Sequence, residues 1–200
     1  MSGTYEGSNG SSGGDTSVED GLITKTLTNY TNDRVSYIAS SAFYSCSKLI
    51  SVSFPACKSI YTSAFYYCSN LTSISFPACT SIGTAAFANC RSLLSVDFPA
   101  CMAVYYSAFS YCSSLETISL PNVTNIYSSA FRQCFNLKSL YLMSSRLCML
   151  SHSNAFSSTP IGGYLSHTET YGSIYVPASL LTSYKIATNW TYFSSRFVGI

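Results

Sequence analysis

Charged side chains are scarce in this chain. Asp, Glu, Lys and Arg make up 9% of its 200 residues, against about 25% in an average soluble protein. A highly charged disordered protein and a coiled coil both need far more charge, so both classes are excluded. The hydrophobic share of 47% is enough for the core of one domain of ordinary size.

Long apolar runs and targeting signals are missing as well. No stretch of about 18 uninterrupted apolar residues occurs, so we expect no membrane insertion. The Gly- and Ser-rich residues 1–20 have neither a basic start nor an apolar stretch, and they do not form a secretory signal. Three possibilities follow: a signal removed from this chain, a different export route, or an intracellular location.

Clusters of basic residues are also absent. Beyond residue 20 the chain has ten basic and four acidic residues, a net charge of +6, but the basic residues stand singly. Proteins that bind nucleic acids replace the counterions of the phosphate backbone with clustered cations. We therefore expect no nucleic-acid partner.

What the chain does have is an internal repeat with a period of about 22 residues, within the range typical of solenoids. The dipeptide Ala-Phe recurs five times at one constant interval, and a sixth copy follows after a slightly longer one. The six copies begin at Ala42, Ala64, Ala86, Ala108, Ala130 and Ala155. After each of the first five copies, Cys and Leu recur at fixed positions, followed by Val, Ile or Leu at a third position and Phe or Leu at a fourth. Such agreement indicates a solenoid, in which each coil packs only on its neighbours.

Each unit contains the signals of one strand and one turn. Apolar and other residues alternate at the end of the pattern Leu-x-x-Ile-x-Phe, and this period of two is typical of a strand with one buried face. Pro follows directly and cannot donate to a ladder, so the strand ends there. The pattern Ala-Phe-x-x-Cys-x-x-Leu has a spacing of three, which suits a tight helical or 3₁₀ turn. Since one unit cannot bury enough surface alone, we expect equivalent strands to stack in a parallel ladder.

The order Leu-x-x-Ile-x-Phe with the Ala-Phe-x-x-Cys element, over about residues 27–161, resembles the BspA-like (Treponema-type) bacterial leucine-rich repeat proteins. The resemblance implies an α/β fold, a right-handed leucine-rich-repeat solenoid with its main strands on the concave side. It also implies adhesion or protein binding outside the bacterial cell or on its surface.

The two ends of the repeat region predict caps. Leu27 and Tyr30 stand one repeat period before Leu49 and Val52, which indicates a degenerate first coil. At the other end, the sequence predicts a strand over 173–177, a short helix over 178–188 and a strand over 196–198. This segment resembles the C-terminal cap of BspA-like proteins. We expect a flexible tail over 1–20, a solenoid of about six coils over 21–161 and a capping segment over 162–200.

The nine cysteines fall mainly into two columns of the repeat. One column lies in the Ala-Phe turn and the other follows the Pro, so that seven cysteines recur every 11 residues. No pair has the short spacing of a zinc finger. Equivalent side chains in a ladder point in parallel, which gives poor disulfide geometry. The pattern favours buried thiols that act as small hydrophobes, with disulfides and a metal site as the alternatives.

Catalytic motifs are not evident. His152 and His167 stand outside the regular repeats and lack the sequence context of a catalytic triad. No Gly-rich phosphate loop occurs. Asp97 and Glu116 fall on adjacent strands, where two surface acids are a simpler interpretation than a catalytic pair. We therefore predict a protein that is not an enzyme and needs no cofactor or metal.

Candidate binding residues come from the positions that vary while the frame of the repeat stays constant. Tyrosines are frequent at such positions around the Ala-Phe turn, and tyrosine dominates many recognition surfaces. The candidates are Tyr61, Tyr66, Tyr67, Tyr105, Tyr106, Tyr111, Tyr127 and Arg132. The alternative is that these rings only stack on one another and stabilise the flank. The outward strand positions are mostly Ser and offer few anchors.

The function predicted from these observations is a non-enzymatic binding or adhesion module. Its partner is a protein or glycan on another surface, and we expect the module to be a monomer. A second hypothesis is a structural or assembly component of a cell-surface or phage-tail-like particle. The family resemblance places the protein outside the cell or on its surface, although this chain carries no signal peptide.

Overall fold

The computed structural model describes residues 17–18, 27–163 and 171–200, with the side chains of residues 17–18 left aside. Each coil contributes one strand of three residues and then one of two residues, which begins six positions after the first strand ends in the first five coils and eight positions after it in the sixth. The first set, with the two strands of the C-terminal segment, is β2 (Asn29–Thr31), β4 (Ser51–Ser53), β6 (Ser73–Ser75), β8 (Ser95–Asp97), β10 (Thr117–Ser119), β12 (Ser139–Tyr141), β14 (Ser173–Val176) and β15 (Phe197–Gly199). The second set is β1 (Ser17–Val18), β3 (Tyr37–Ile38), β5 (Ser59–Ile60), β7 (Ser81–Ile82), β9 (Ala103–Val104), β11 (Asn125–Ile126) and β13 (Met149–Leu150).

All strand pairs in the described chain are parallel and join equivalent positions of neighbouring coils. Val52 pairs with Ile74, for example, and Ile60 with Ile82. The two-residue strands form one seven-stranded sheet, and the longer strands form a three-stranded sheet, β2 to β6, and a five-stranded sheet, β8 to β15. The parallel, stacked solenoid predicted from the repeat is confirmed. Its helices are short and few, so the fold is mostly β.

The core contains two ladders of aromatic rings among columns of buried aliphatic side chains and thiols. Phe43 and its equivalents stack along the solenoid, with ring centroids from 4.8 to 5.7 Å apart and interplanar angles of 16° or less. A shorter ladder runs beside it through Phe54, Phe76 and Phe98. The two ladders meet edge to face, as between Phe43 and Phe54 at 5.9 Å, which is a favoured arrangement for aromatic rings.

The Ala-Phe element differs from the helical or 3₁₀ turn expected from its spacing. In the first five copies it forms successive turns between two left-handed residues, such as Ser63 (φ 57°) and Tyr67 (φ 62°). The reason is that alternate amide groups bond the next coil, as the Phe43 N–H does to Ala64 O at 2.7 Å, while those between them bond within the turn, as Tyr44 N–H does to Ser41 O. Of the six Ala-Phe copies, all of which are described, only the sixth lies in a 3₁₀ helix, Ser153–Phe156.

The N-terminal end is closed by a coil with atypical residues. β2 pairs with β4 so that Tyr30 faces Val52, in the register predicted from the sequence. The Tyr30 ring contacts Phe43 and Phe54, with centroids 5.7 and 5.4 Å apart. β1 pairs with β3, so residues 17–18 differ from the flexible tail expected over 1–20, because the edge of β3 offers backbone groups that β1 can pair. The rest of that tail lies outside the described residues.

The C-terminal segment begins with β14, and the chain then turns into a short helical region. This region contains the 3₁₀ helix Ala178–Leu180, helix α1 (Leu181–Ile186) and the 3₁₀ helix Thr191–Arg196, and it leads to β15. The segment therefore contains a strand, a helical part in three short pieces and a second strand.

Side chains of this segment form hydrogen bonds with backbone groups at the open edge of the seven-stranded sheet. The Cys148 N–H donates to Tyr184 Oη at 3.0 Å, and Trp190 Nε1 donates to Cys148 O at 2.7 Å. Asn189 Nδ2 donates to Leu150 O at 2.8 Å. The Trp190 and Phe193 rings also cover Phe156, the last ring of the longer ladder. An edge that would otherwise pair with another molecule is thereby closed.

We predict that a chain lacking residues 173–200 aggregates, because the deletion exposes Phe156 and the unpaired groups of β13. Size-exclusion chromatography with light scattering, compared with the full chain, tests this expectation. A folded, monodisperse monomer of the shortened chain would contradict it.

Candidate functional site

The candidate tyrosines form two groups on the same part of each coil. Tyr61, Tyr105, Tyr106 and Tyr127 follow the two-residue strands and are called the strand-end group. Tyr66, Tyr67, Tyr111 and Arg132 follow the core Phe of the Ala-Phe turn and are called the turn group. The two groups and the Ala-Phe turns between them form the turn flank of the solenoid.

The strand-end group is held together by ring contacts. Tyr105 and Tyr127 stack with centroids 4.9 Å apart and an interplanar angle of 5°, and Tyr106 lies 5.2 Å from Tyr127. Tyr61 is separated from them by the coil that carries Gly83 at the same position, and it contacts Tyr37 instead. Tyr61 and Tyr106 are nevertheless 50% and 49% exposed, so stacking leaves much of these rings accessible.

Two members of the turn group contact residues outside it, one by ring stacking and one by a cation–π interaction. Tyr66 stacks on Tyr44 at 5.2 Å and lies 5.0 Å from Tyr67. The guanidinium carbon of Arg91 lies 5.9 Å from the centre of the Tyr67 ring. Arg132 is exposed at the position equivalent to Tyr66 three coils further on, away from this pair. Ala88 and Ser110 occupy the positions between them and interrupt the stack.

Tyr111 belongs to a different part of the turn flank. Together with Arg91, Ser113 and Phe135 it lines a pocket of about 220 Å³, which we call the Arg91 pocket. Arg91 and Ser113 are not among the candidates predicted from the sequence. A signal was present, because the column that follows the turn cysteine has Ser in three of its first five copies but Arg91 and Phe135 in the other two.

The two sheets of longer strands present mainly small polar groups, as the sequence indicates. In the described chain, a stacked aromatic pair on their outer face occurs only toward the C-terminal end, where Tyr141 stacks on Tyr175 at 4.6 Å. Glu116 lies 3.8 Å from Lys138, with both side chains about half exposed. Asp97 is exposed on β8. Nothing in this geometry brings Asp97 and Glu116 together as an acid pair.

Comparison with known proteins identifies the repeat. Residues 36–162 match, in six copies, the family described as BspA type leucine rich repeat region. The chain belongs to the BspA-type leucine-rich repeat family. No curated protein sequence matches it significantly. Leucine-rich repeats of this kind are generally protein-binding or surface-associated modules.

Solved structures of bacterial proteins agree with this BspA-type assignment. A leucine-rich repeat protein of T. pallidum is 33% identical over 57% of this chain, with a TM-score of 0.55. A leucine-rich cell-surface protein of Faecalibacterium prausnitzii covers 82% of the chain at 24% identity, with a TM-score of 0.58. The matched regions are 58% and 59% of those two proteins. In the described residues of this chain, no helix is long and apolar enough to cross a membrane.

The cysteines of this BspA-type chain are all free and buried. In the turn column, each thiol from Cys68 to Cys134 donates to the carbonyl of the core Phe one coil earlier, at 3.0 to 3.2 Å. In the column after the Pro, each thiol donates within its own turn, as from Cys57 to Ser59 O at 3.3 Å. The prediction of buried thiols is confirmed, and the turn column also links neighbouring coils. The described residues contain no group of side chains suited to a metal ion.

Burial makes these thiols poor nucleophiles. Loss of hydration raises the pKa of Cys57 to about 11 and that of Cys101 to about 12, from a usual value of 9.0. The same effect raises the pKa of Cys90 and Cys134 well above that value. Because the thiolate is the reactive form, the folded protein keeps its cysteines inert at neutral pH.

We predict that the native protein reacts negligibly with Ellman's reagent at neutral pH. After denaturation without reductant it should release nine equivalents of thiol, since all nine cysteines are free. A count well below nine in the denatured sample would reveal disulfides and contradict the assignment.

We predict that the protein loses stability as the pH rises above the usual thiol value of 9.0 toward the raised pKa of Cys57, about 11. In this range unfolded thiols lose their protons while folded ones keep them, so each such thiol costs about 1.4 kcal/mol per pH unit. Urea unfolding at about pH 8 and about pH 10 measures the loss.

Cys101→Val provides the matched test of this alkaline effect, because Val123 occupies the same column in the next coil. The variant should lose less stability than the wild type between the two pH values. An equal loss in both proteins would show that the thiol does not contribute.

Proposed function

We propose that this chain is a non-enzymatic binding module that contacts a protein or glycan through the turn flank, outside the cell or on its surface. The observation that carries the proposal is the row of exposed tyrosines and arginines on a rigid frame. Tyrosine provides large contact area at low entropic cost, and such residues are frequent hot spots of interfaces.

The rigidity of the turn flank supports the proposal. The amide groups of Phe65, Tyr67 and Tyr111 each donate to the next coil, at 2.7 to 2.9 Å. The stacked rings of Tyr66 and Tyr105 are further restrained by their neighbours in adjacent coils. A surface that is already ordered loses little conformational entropy on binding, which favours affinity. Stacking and recognition are therefore compatible uses of the same tyrosines.

The chemistry of the described residues also favours binding over catalysis. The thiols are buried and have raised pKa values, as for Cys57 and Cys101. Glu116 is close to Lys138. His152 caps the 3₁₀ helix of the sixth copy, where its Nδ1 accepts a hydrogen bond from Asn154 N at 3.0 Å. These groups have structural roles, whereas the exposed rings of the turn flank have unused surface.

Replacing Tyr66, Tyr67 and Tyr111 together with Ser should abolish partner binding and leave the fold intact. Serine is tolerated at these positions, because Ser110 occupies the column of Tyr66, and Ser45 the left-handed column of Tyr67 and Tyr111. The measurement is capture of partners from host-cell and extracellular-matrix extracts on immobilised protein, with circular dichroism as the check of folding.

The matched control is Tyr192→Ser, which removes an exposed tyrosine (75% exposed) from the C-terminal segment. It should retain the captured partners. If the triple variant captures the same partners as the wild type, the turn flank is not the binding surface and the Ser-rich strand face becomes the site to test.

A further inference from the structure

The Arg91 pocket brings together two partly exposed aromatic rings. Tyr66 and Tyr67 of the turn group, and Tyr105 and Tyr127 of the strand-end group, contact other rings. No ring contact involves Tyr111 or Phe135 within the described chain, and both rings are 38% exposed. A flat ligand with C–H groups can therefore lie against either ring, because the ring face carries partial negative charge.

The same pocket contains an arginine that has no acidic partner among the described residues. The guanidinium of Arg91 lies over Tyr67 and is 3.4 Å from Asn89 Oδ1. Within the described ranges the only salt bridge joins Lys138 and Glu116, so no carboxylate neutralises Arg91. Guanidinium groups bind carboxylates in a planar, bidentate geometry, and this pocket therefore has charge complementary to an acidic ligand.

Part of the backbone around the pocket is already bonded within the solenoid. Asn89 N donates to Ser110 O at 2.9 Å, and Tyr111 N donates to Arg132 O at 2.8 Å. Ser114 N donates to Arg91 O at 3.2 Å. An extended peptide that binds by strand addition needs free backbone groups at a sheet edge. The pocket itself offers a ligand four side chains, which are two rings, a hydroxyl and a guanidinium.

The size of the pocket limits what it holds. Its volume of about 220 Å³ is below the roughly 300–1,000 Å³ of typical small-molecule sites. It therefore suits one unit of a larger ligand, such as a single sugar ring of a glycan.

We propose that the Arg91 pocket binds an acidic sugar unit of a glycan, an inference that rests on the proposed function and specifies its partner. The carboxylate of the sugar pairs with Arg91, the face of its ring packs on Phe135 or Tyr111, and a ring hydroxyl bonds with Ser113 Oγ. A sugar without the carboxylate loses the pairing with Arg91 and binds more weakly.

Two pairs of probes test the charge requirement. Trigalacturonate is compared with its methyl ester, and sialyllactose with lactose, by titration of the full chain. Each acidic sugar should bind at least about tenfold more tightly than its neutral partner, a difference that shrinks at high salt. Equal binding within both pairs, or no binding of either acidic sugar, would overturn the proposal.

Two variants test the residues without disturbing the fold. Arg91→Ser and Phe135→Ser each place in the pocket the residue that Ser47 and Ser69 provide at the same position of other coils. Arg91→Ser should abolish the preference for acidic sugars, and Phe135→Ser should weaken the acidic and the neutral sugar of each pair alike. Lys58→Thr is the control that also removes one positive charge, at a position where Thr80 and Thr124 occur in other coils. Equal affinities of Arg91→Ser and Lys58→Thr for the acidic sugars would overturn the assignment.

A glutamate-rich peptide serves as a third probe. If it binds through Arg91 while neither acidic sugar binds, the partner is an acidic protein and the sugar assignment is wrong. Failure of every probe, together with loss of captured partners by the Tyr66, Tyr67 and Tyr111 triple variant, would refute this inference alone. Retention of those partners by the triple variant would refute the proposed function as well.

Discussion

Hydrogen bonds between backbone groups of adjacent coils are the constraint on which the rest of the structure depends. The N–H groups of Phe43, Phe65 and Phe87 each donate to the Ala carbonyl of the next coil, at 2.7 or 2.8 Å. These bonds fix the translation from coil to coil, so each side chain lies beside the side chain at the equivalent position of the next coil. The stacked rings of the core, the columns of thiols and the tyrosine pairs on the surface all follow from this register.

The same constraint determines where the chain tolerates additional residues. The interval between the last two Ala-Phe copies, from Ala130 to Ala155, is longer than the others, yet β13 still pairs with β11, with Ile126 opposite Leu150. The additional residues fall between β12 and Ala155, outside the paired strands. Phe131 N consequently still donates to Ala155 O at 2.9 Å, and the ring of Phe156 continues the stack.

The fold could be predicted largely from the sequence, because the repeat shows directly which residues become neighbours. The turn conformation could not, since Tyr67, Tyr111 and Gln133 adopt left-handed backbone angles without the glycine that usually indicates them. The side chains that close the open edge also escaped prediction. Tyr184 and Trp190 bond the backbone of Cys148, a contact between distant segments of the chain that no local pattern encodes.

The candidate site was predictable only in part. Columns indicated which tyrosines are exposed, but whether a ring is stacked depends on its neighbours in adjacent coils. Tyr105 has Tyr127 beside it, whereas the described residues place no ring against Tyr111. The contribution of Arg91 to the pocket appears only in three dimensions.

The thiol columns have a consequence for biogenesis. Each sulfur atom is shielded only after the adjoining coil is in place, so a nascent or newly translocated chain exposes nine reactive groups. Eight cysteines alone allow roughly a hundred sets of disulfide pairings, and none of the nine pairs in the finished solenoid. To mature in an oxidising environment, the protein therefore requires that its coils pack rapidly, or that a reductant or chaperone keeps the thiols reduced until they do.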